Sequence, residues 1–393
     1  MSFRFFVPTH LLFGAGCLSK LRKQRLPGQR ALIVISNGRS TRANGYLARV
    51  EEELHAAGVE THVYDGVLPN PVLENVAAGA ALARSAHCDF IVGLGGGSSI
   101  DCAKAIAVMA TNDGSFWDYL FGGTAGRKKM KADPLPLVAI PTTAGTGTEL
   151  DPWMVVSNEE THEKIGGGND RCFPVLSVVD PELMTTLPPR LTAFQGFDAL
   201  FHGIECYLSK QASPLSDLFS REVVSSVAGH LARACTNGQD IAAREQVAYG
   251  STLAGVSMTL SSNGSHHAME HALSAFHHEL PHGEGLILLS RAYFGHLADH
   301  VPEVADRLVD LARLMGRPDA SDPHDFLTAL DELLHACGVA GLRMSDHGIT
   351  PDEIPALARN ARETMGMLFA TDRFSLTETD VERIYAKALA AEG

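Results

Sequence analysis

Short β-rich apolar runs alternate with helical patterns, and the alternation stops near residue 188; this limits the possible folds more than any other feature. The runs are ALIVIS (31–36), ETHVYDGV (60–67), DFIVGLGGG (89–97), PLVAIPTT (136–143) and LSVVDP (176–181). GYLARVEEELHAAG lies between the first two and LENVAAGAALARSAHC between the next two, both with apolar residues at helical spacing. Strand–helix–strand alternation predicts a mostly parallel sheet covered by helices. After TTLPPRLTAF the β-branched runs vanish, and SREVVSSVAGHLARAC, VPEVADRLVDLARLMG and DFLTALDELLHACG read as long helices. At 393 residues two domains are expected: an α/β domain over 1–187 and an all-α domain over 188–393.

The charge balance excludes some partners. Lys and Arg number 32 against 46 Asp and Glu, a net charge of −14, so nothing offsets repulsion from nucleic acid or an anionic membrane. The one compact basic run, Arg127 to Lys131, reads as a solvated loop. The seven cysteines are an odd number without a C-x-x-C pair, which suits a reducing, cytoplasmic setting rather than a disulfide framework. MSFRFFVPTHLLFGAG is broken by Pro8 and lacks a signal-peptide layout, and no apolar stretch is long enough to span a membrane.

Two segments look built for phosphate. Gly95-Gly96-Gly97-Ser98-Ser99-Ile100-Asp101 follows a predicted strand and opens a predicted helix. Glycines there let backbone N–H groups approach an anion, and the helix N-terminus adds a favourable dipole. Taken alone, the segment reads equally as a tight turn without a ligand. Pro141 to Glu149 also follows a strand and carries four threonines, among them Thr142, Thr143 and Thr146. Two such turns at the ends of parallel strands are what a Rossmann-like dinucleotide crevice needs, although the spacing is not G-x-G-x-x-G.

The second half concentrates histidine. SHHAMEHALSAFHHELPHG packs six of the eighteen histidines into seventeen positions. Asp198 and His202 stand at i and i+4, a bite suited to one metal ion on a helix face. His267 and His271 repeat that spacing, and His282 follows in Pro281-His282-Gly283, expected to be a turn. A carboxylate with three imidazoles and an open position suits a catalytic metal site. Either pair alone reads first as separate surface histidines on amphipathic helices.

Taken in order, the Gly95–Ser98 turn, the Pro141–Glu149 segment, GFDALFHGIE, HHAMEH and PHG resemble the signatures of the iron-containing (metal-dependent) alcohol dehydrogenases. FGAG, YDGVLPNPVLENV, VVDPELMTTLP and DVERIYAKAL extend the resemblance over essentially the whole chain. It implies a dehydroquinate synthase-like two-domain architecture and a homodimer. It also implies a metal held by Asp198, His202, His267 and His282, with His271 near the nicotinamide as the catalytic proton relay. His266, His277 and His278 are then surface or local structural residues. The implied reaction is reversible hydride transfer between a primary alcohol or aldehyde and NAD(P), the ion acting as Lewis acid and the nicotinamide as hydride carrier. Expected cofactor contacts are Ser36, Gly38, Arg39, Ser40, Gly95, Gly96, Gly97, Ser98, Asp101, Thr142, Thr143, Thr146, Lys164 and His271. The donor set accepts Fe2+ or Zn2+; intrinsic affinity favours zinc, and the resemblance favours iron.

Departures from the family pattern touch cofactor and substrate. Many NAD-using members have an acid after the first strand; here Ser36-Asn37-Gly38-Arg39-Ser40 looks like the version of NADP-using relatives, with Arg39 placed for a 2′-phosphate. Trp153 stands where smaller side chains are common, and with Met258, nine residues before His267, it is expected to wall the alcohol pocket. KIGGGNDRCFP is unusually Gly-rich. An indole there favours short or linear primary alcohols. The alternatives are a polyol dehydrogenase or a dehydroquinate synthase-like lyase or cyclase on the same scaffold. The last would need a Lys/Arg cluster near the metal motifs, which the helical half scarcely offers.

Overall fold

The computed structural model describes residues 3–390. The strands, with the helices between them, are β1 (His10–Phe13), β2 (Arg30–Ser36), α1 (Ser40–Ala43), α2 (Tyr46–Ala56), β3 (Glu60–Val67), α3 (Leu73–Ser85), β4 (Phe90–Gly95), α4 (Gly97–Thr111), β5 (Leu137–Pro141), β6 (Met154–Asn158), β7 (Glu163–Gly167) and β8 (Leu176–Val179). Helices follow alone: α5 (Pro189–Leu208), α6 (Pro214–Thr236), α7 (Ile241–Leu260), α8 (Ser265–Phe276), α9 (His282–His300), α10 (Ala305–Leu314), α11 (His324–Ala336), α12 (Ile354–Thr364), α13 (Gly366–Phe369) and α14 (Glu378–Ala390). None among the described residues is long and apolar enough to cross a membrane.

Six strands form a parallel sheet in the order β1-β8-β5-β4-β2-β3. Side chains alternate between its faces, so the apolar runs feed two cores. Leu32, Val34, Ile91 and Ala139 face α3 and α4, while Ile33, Ile35, Val92, Val138 and Ile140 face Leu47, Val50 and Leu54 of α2. Each of the five expected strands is present. The sequence reading missed β1, which pairs with β8 at the edge, and the antiparallel hairpin β6–β7.

Strand order places the ligand crevice. From β2 the chain goes outward to β3, then crosses back to β4 on the other side of β2. The chain therefore diverges at the carboxyl ends of β2 and β4, where open parallel sheets bind ligands. Ser36 to Ser40 leave β2 there, and Gly95 to Ser98 leave β4.

In the helical half, α5 is buried at nearly every position from Thr192 to Leu208, and α8 from Ser265 to Ala275. A helix buried on all sides runs through a core rather than over it. Val223, Val227 and Leu231 of α6 and Phe294 of α9 pack in one core with Phe197 and Phe201 of α5. Polar side chains on two such helices must find partners, because an unpaired buried polar group costs on the order of 1–3 kcal/mol. That requirement leads to the site.

Candidate active site

The two glycine- and threonine-rich turns meet. The Thr142 N–H donates to Gly95 O at 2.8 Å. A Cβ on Gly96 would lie 3.2 Å from Thr143 Oγ1, and one on Gly97 would lie 2.5 Å from Thr146 Cγ2. A side chain at Gly97 would have to displace Thr146, and one at Gly96 would crowd Thr143, so the turns form one lining around the start of α4. Ser36 is half-buried at the end of β2, and Gly38, Arg39 and Ser40 are exposed at the crevice. Asp101 is committed elsewhere: its carboxylate accepts from Thr148 Oγ1 (2.7 Å) and from the Val155 N–H (3.0 Å).

The second turn also reaches α5. A Cβ on Gly145 would sit 2.6 Å from Gln195 Oε1 and 3.0 Å from Asp198 Oδ2. The phosphate-friendly segment therefore abuts the carboxylate expected to hold the metal.

Around Asp198 Oδ1 stand three imidazoles. His202 Nδ1 is 3.4 Å away, and His267 Nε2 and His282 Nε2 are each 3.5 Å away. Donor atoms of Asp198, His267 and His282 all lie within 4.8 Å of one another. His202 flanks that trio, its ring 4.4 Å from that of His267, centroid to centroid. Asp198 Oδ1, His202 Nδ1 and His267 Nε2 are buried without a hydrogen-bond partner in the protein. Buried polar atoms are normally paired, so three together fit a cation. His282, whose side chain is 23% exposed, is the open side of an otherwise enclosed cluster.

Two carboxylates that the sequence reading missed stand behind the imidazoles. Glu205 Oε1 accepts from His267 Nδ1 at 2.5 Å, and Glu270 Oε2 accepts from His282 Nδ1. Each bond fixes the proton on Nδ1 and leaves the Nε2 lone pair facing Asp198, a common way of orienting metal-binding histidines. Glu205 also takes the Gly264 N–H (2.7 Å) and the His267 N–H (3.3 Å) at the start of α8. Burial works against ionising Asp198, Glu205 and Glu270. It is outweighed by His202, His267 and His282 at Asp198, by His267 and His266 at Glu205, and by His282 and Lys164 at Glu270, so all three stay below the usual carboxylate range. Burial in turn holds His202 down at about 4. Three buried carboxylates face one ammonium, that of Lys164. Against burial, Glu205 and Asp198 raise His267 to about 10 and Glu270 raises His282, so without a cation protons meet that charge; a divalent cation would take their place and leave the imidazoles neutral.

The other histidines separate cleanly. His271, one turn beyond His267, points its Nδ1–H at Lys164 O (3.2 Å) rather than at Asp198. Burial, then the Lys164 ammonium, keeps its ring well below the usual range and hence neutral. Lys164, expected at the cofactor, donates to Ser274 Oγ (2.8 Å) and lies 3.4 Å from Glu270, behind His282. His266 is fully buried, not at the surface, and is held between Glu205 and Leu286 O (3.0 Å). His277 is half-buried 3.2 Å from Glu353, and the carbonyl of His278 accepts from Asn70. His282 begins α9 directly after Pro281; the expected turn is a helix start. Met258 is buried on α7, one turn beyond Gly255 on the face that meets Gly147. Trp153 is 41% exposed just before β6.

Residues 8–181 match the family described as iron-containing alcohol dehydrogenase, and residues 192–389 match the C-terminal region of the Fe-containing alcohol dehydrogenase family. This chain belongs to the iron-containing alcohol dehydrogenases. It is 34% identical to alcohol dehydrogenase 4 of Schizosaccharomyces pombe, over 98% of this chain and 89% of that protein. An archaeal halo-thermophilic alcohol dehydrogenase from a Red Sea brine pool has the same fold, with a TM-score of 0.93 at 32% identity over 99% of both chains. Sulfoacetaldehyde reductase from Bifidobacterium kashiwanohense, solved in complex with NAD+, superposes with a TM-score of 0.85 at 28% identity over 100% of both chains. The chain is therefore an alcohol oxidoreductase built on an α/β half and a helical half.

Proposed function

We propose that this alcohol dehydrogenase interconverts short or linear primary alcohols and their aldehydes with NAD(P), using a divalent ion, iron by preference, held by Asp198, His202, His267 and His282. The observation that carries the reading is the group of buried, unpaired donor atoms on Asp198, His202 and His267, set against Gly145 of the nucleotide-side turn. Bound there, the ion would supply Lewis acidity to the substrate oxygen. In this reading residues 1–187 seat the dinucleotide and residues 188–393 provide the metal ligands.

The rest is done by the chain. The joined turns at Gly95–Ser98 and Thr142–Thr146 offer backbone N–H groups and hydroxyls to the pyrophosphate. Arg39, exposed at the end of β2, pairs with a 2′-phosphate, so NADP(H) is accepted. His271 keeps its proton on Nδ1 through Lys164 O, which leaves Nε2 free to accept a proton and pass it to water. Glu205 and Glu270 hold the ligand rings in one tautomer. Trp153 and Met258 border the alcohol. The enzyme is read as a homodimer, for which solution mass measurement is the check.

The test is an anaerobic panel of alcohols and aldehydes with Fe(II) or Zn(II), against NAD(H) and NADP(H), followed by nicotinamide absorbance. Turnover of linear primary alcohols that depends on added metal is the expected result. Fully metallated protein that turns over no alcohol with either cofactor would overturn the proposal.

A further inference from the structure

Lys104 is an unusual residue to find inside a protein, and nothing in the catalytic chemistry uses it. It lies on α4, two turns after the phosphate-side glycines, and is 2% exposed. Its Nζ donates to Thr148 Oγ1 (2.7 Å), Asp151 O (2.9 Å) and Trp153 O (2.7 Å), with Asp151 Oδ1 at 3.0 Å. One turn earlier on the same helix, Asp101 takes the Thr148 hydroxyl and the Val155 N–H. The connection from β5 to β6 is thus gripped at 148, 151, 153 and 155 by two side chains of one helix.

The grip centres on Trp153. Its N–H donates to Asp151 Oδ1 at 2.7 Å and its carbonyl accepts from Lys104, so both backbone polar groups are tied. On the other side, Gly168 packs so closely that a Cβ there would lie 2.1 Å from Pro152 O and 3.3 Å from the Trp153 Cα. Yet the indole itself remains 41% exposed. Burying an ammonium is costly unless all its protons are used, and here they are used on two carbonyls and two side-chain oxygens of the segment that carries the exposed indole. A bulky ring on an immobilised backbone is a fixed wall. On a loose connection it would be a moving one.

We propose that Lys104, supported by Asp101, is a positioning residue for substrate selection: it fixes the 148–155 connection so that the Trp153 indole stands as a rigid limit on the width of the alcohol. This rests on the reading that Trp153 borders the alcohol. Asp101 then serves the substrate side of the crevice rather than the cofactor.

The test uses the metal-loaded enzyme and Lys104→Met, with Lys104→Met/Asp151→Asn as a companion that removes both charges of the buried ion pair. Thermal unfolding identifies the folded variants. In a Trp117→Phe background Trp153 is the sole tryptophan, and the fluorescence anisotropy of that indole should fall when Lys104 is replaced. The preference for linear over branched primary alcohols, as a ratio of kcat/KM, should drop roughly tenfold towards that of Trp153→Ala. The cofactor dissociation constant should stay within about twofold, because the Gly95–Ser98 turn is untouched. In Trp153→Ala, adding Lys104→Met should not change the ratio further. Unchanged anisotropy, or an equal loss for every alcohol, would overturn the role of Lys104. If Trp153→Ala itself leaves the ratio unchanged, the error lies in the placement of the alcohol, and the proposal falls with it.

Discussion

Replacing Glu205 by glutamine tests whether the buried carboxylates set the metal site. The side chain is nearly isosteric, so the change is one of hydrogen-bond polarity. In the wild type one oxygen takes the His267 Nδ1–H at 2.5 Å and lies 3.3 Å from His266 Nδ1. The other takes the Gly264 N–H at 2.7 Å and the His267 N–H at 3.3 Å. An amide supplies one acceptor and one NH2. With the NH2 towards α8, two backbone donors face a third, and the helix start loses its partner. With the NH2 towards His267, the ring must move its proton to Nε2, which removes the lone pair facing Asp198. Both outcomes weaken the ligand, and losing such a supporting partner typically costs about 10–100-fold in metal affinity, or ~1.4–2.8 kcal/mol. The assay is competition for Fe(II) or Zn(II) against a chromophoric chelator, with metal content per chain measured independently. Glu205→Gln that binds metal as tightly as the wild type would refute the reasoning, because no orientation of the amide satisfies both sides.

Arg39→Ala should raise the KM for NADP(H) about tenfold or more, the value of a charge-assisted contact, and leave NAD(H) nearly unchanged; equal KM values for NADP(H) would place Arg39 in solvent. Gly147→Ala should destabilise the fold by ~2–4 kcal/mol in chemical denaturation, since Gly147 has φ +64 and its Cβ would lie 2.3 Å from Gly255 N; wild-type stability would contradict the direct packing of loop on α7. Asp372, whose carboxylate accepts the Ser265 N–H at the start of α8, is raised to about 8, chiefly by burial. The folded chain therefore keeps a proton that the unfolded chain releases near pH ~4, so this contribution is full at low pH and is lost as pH rises towards 8. Asp372→Asn should reduce that fall in stability by up to ~4 kcal/mol between pH 5 and pH 9 in paired denaturation curves; identical pH dependences would show that the carboxyl titrates normally.

The parts legible in the sequence were those with a local signal. Four strands announced themselves through runs such as ALIVIS and PLVAIPTT, because a strand buried on both faces must be apolar throughout; β3, half-buried at the sheet edge, showed only as the mixed run ETHVYDGV. HLLF is only four residues, and EKIGG of β7 ends in two glycines, Gly167 pressing on Leu120, so neither showed a pattern. The i, i+4 pairs pointed to α5 and α8, but spacing alone could not say which of His267 and His271 faces Asp198. That depends on how α8 is rotated between α5 and β7, a tertiary matter that the family resemblance supplied. Glu205 was within reach: it continues the Asp198–His202 stripe by one turn, as Glu270 follows His267. Lys164 was placed at the cofactor by resemblance, and only packing reveals its ammonium against Glu270 and Ser274.

The central claim is that His267 holds the metal while His271, one turn away, does not. Both alanine variants should be purified, loaded anaerobically with Fe(II), and measured for metal per chain and for turnover. His267→Ala should lose metal and activity together, because its Nε2 is one of the buried atoms facing Asp198. His271→Ala should keep its metal and lose about 10²–10⁴-fold in rate, most severely in alcohol oxidation at low pH, where proton exit is hardest. A metal-free His271→Ala beside a fully loaded His267→Ala would contradict the account.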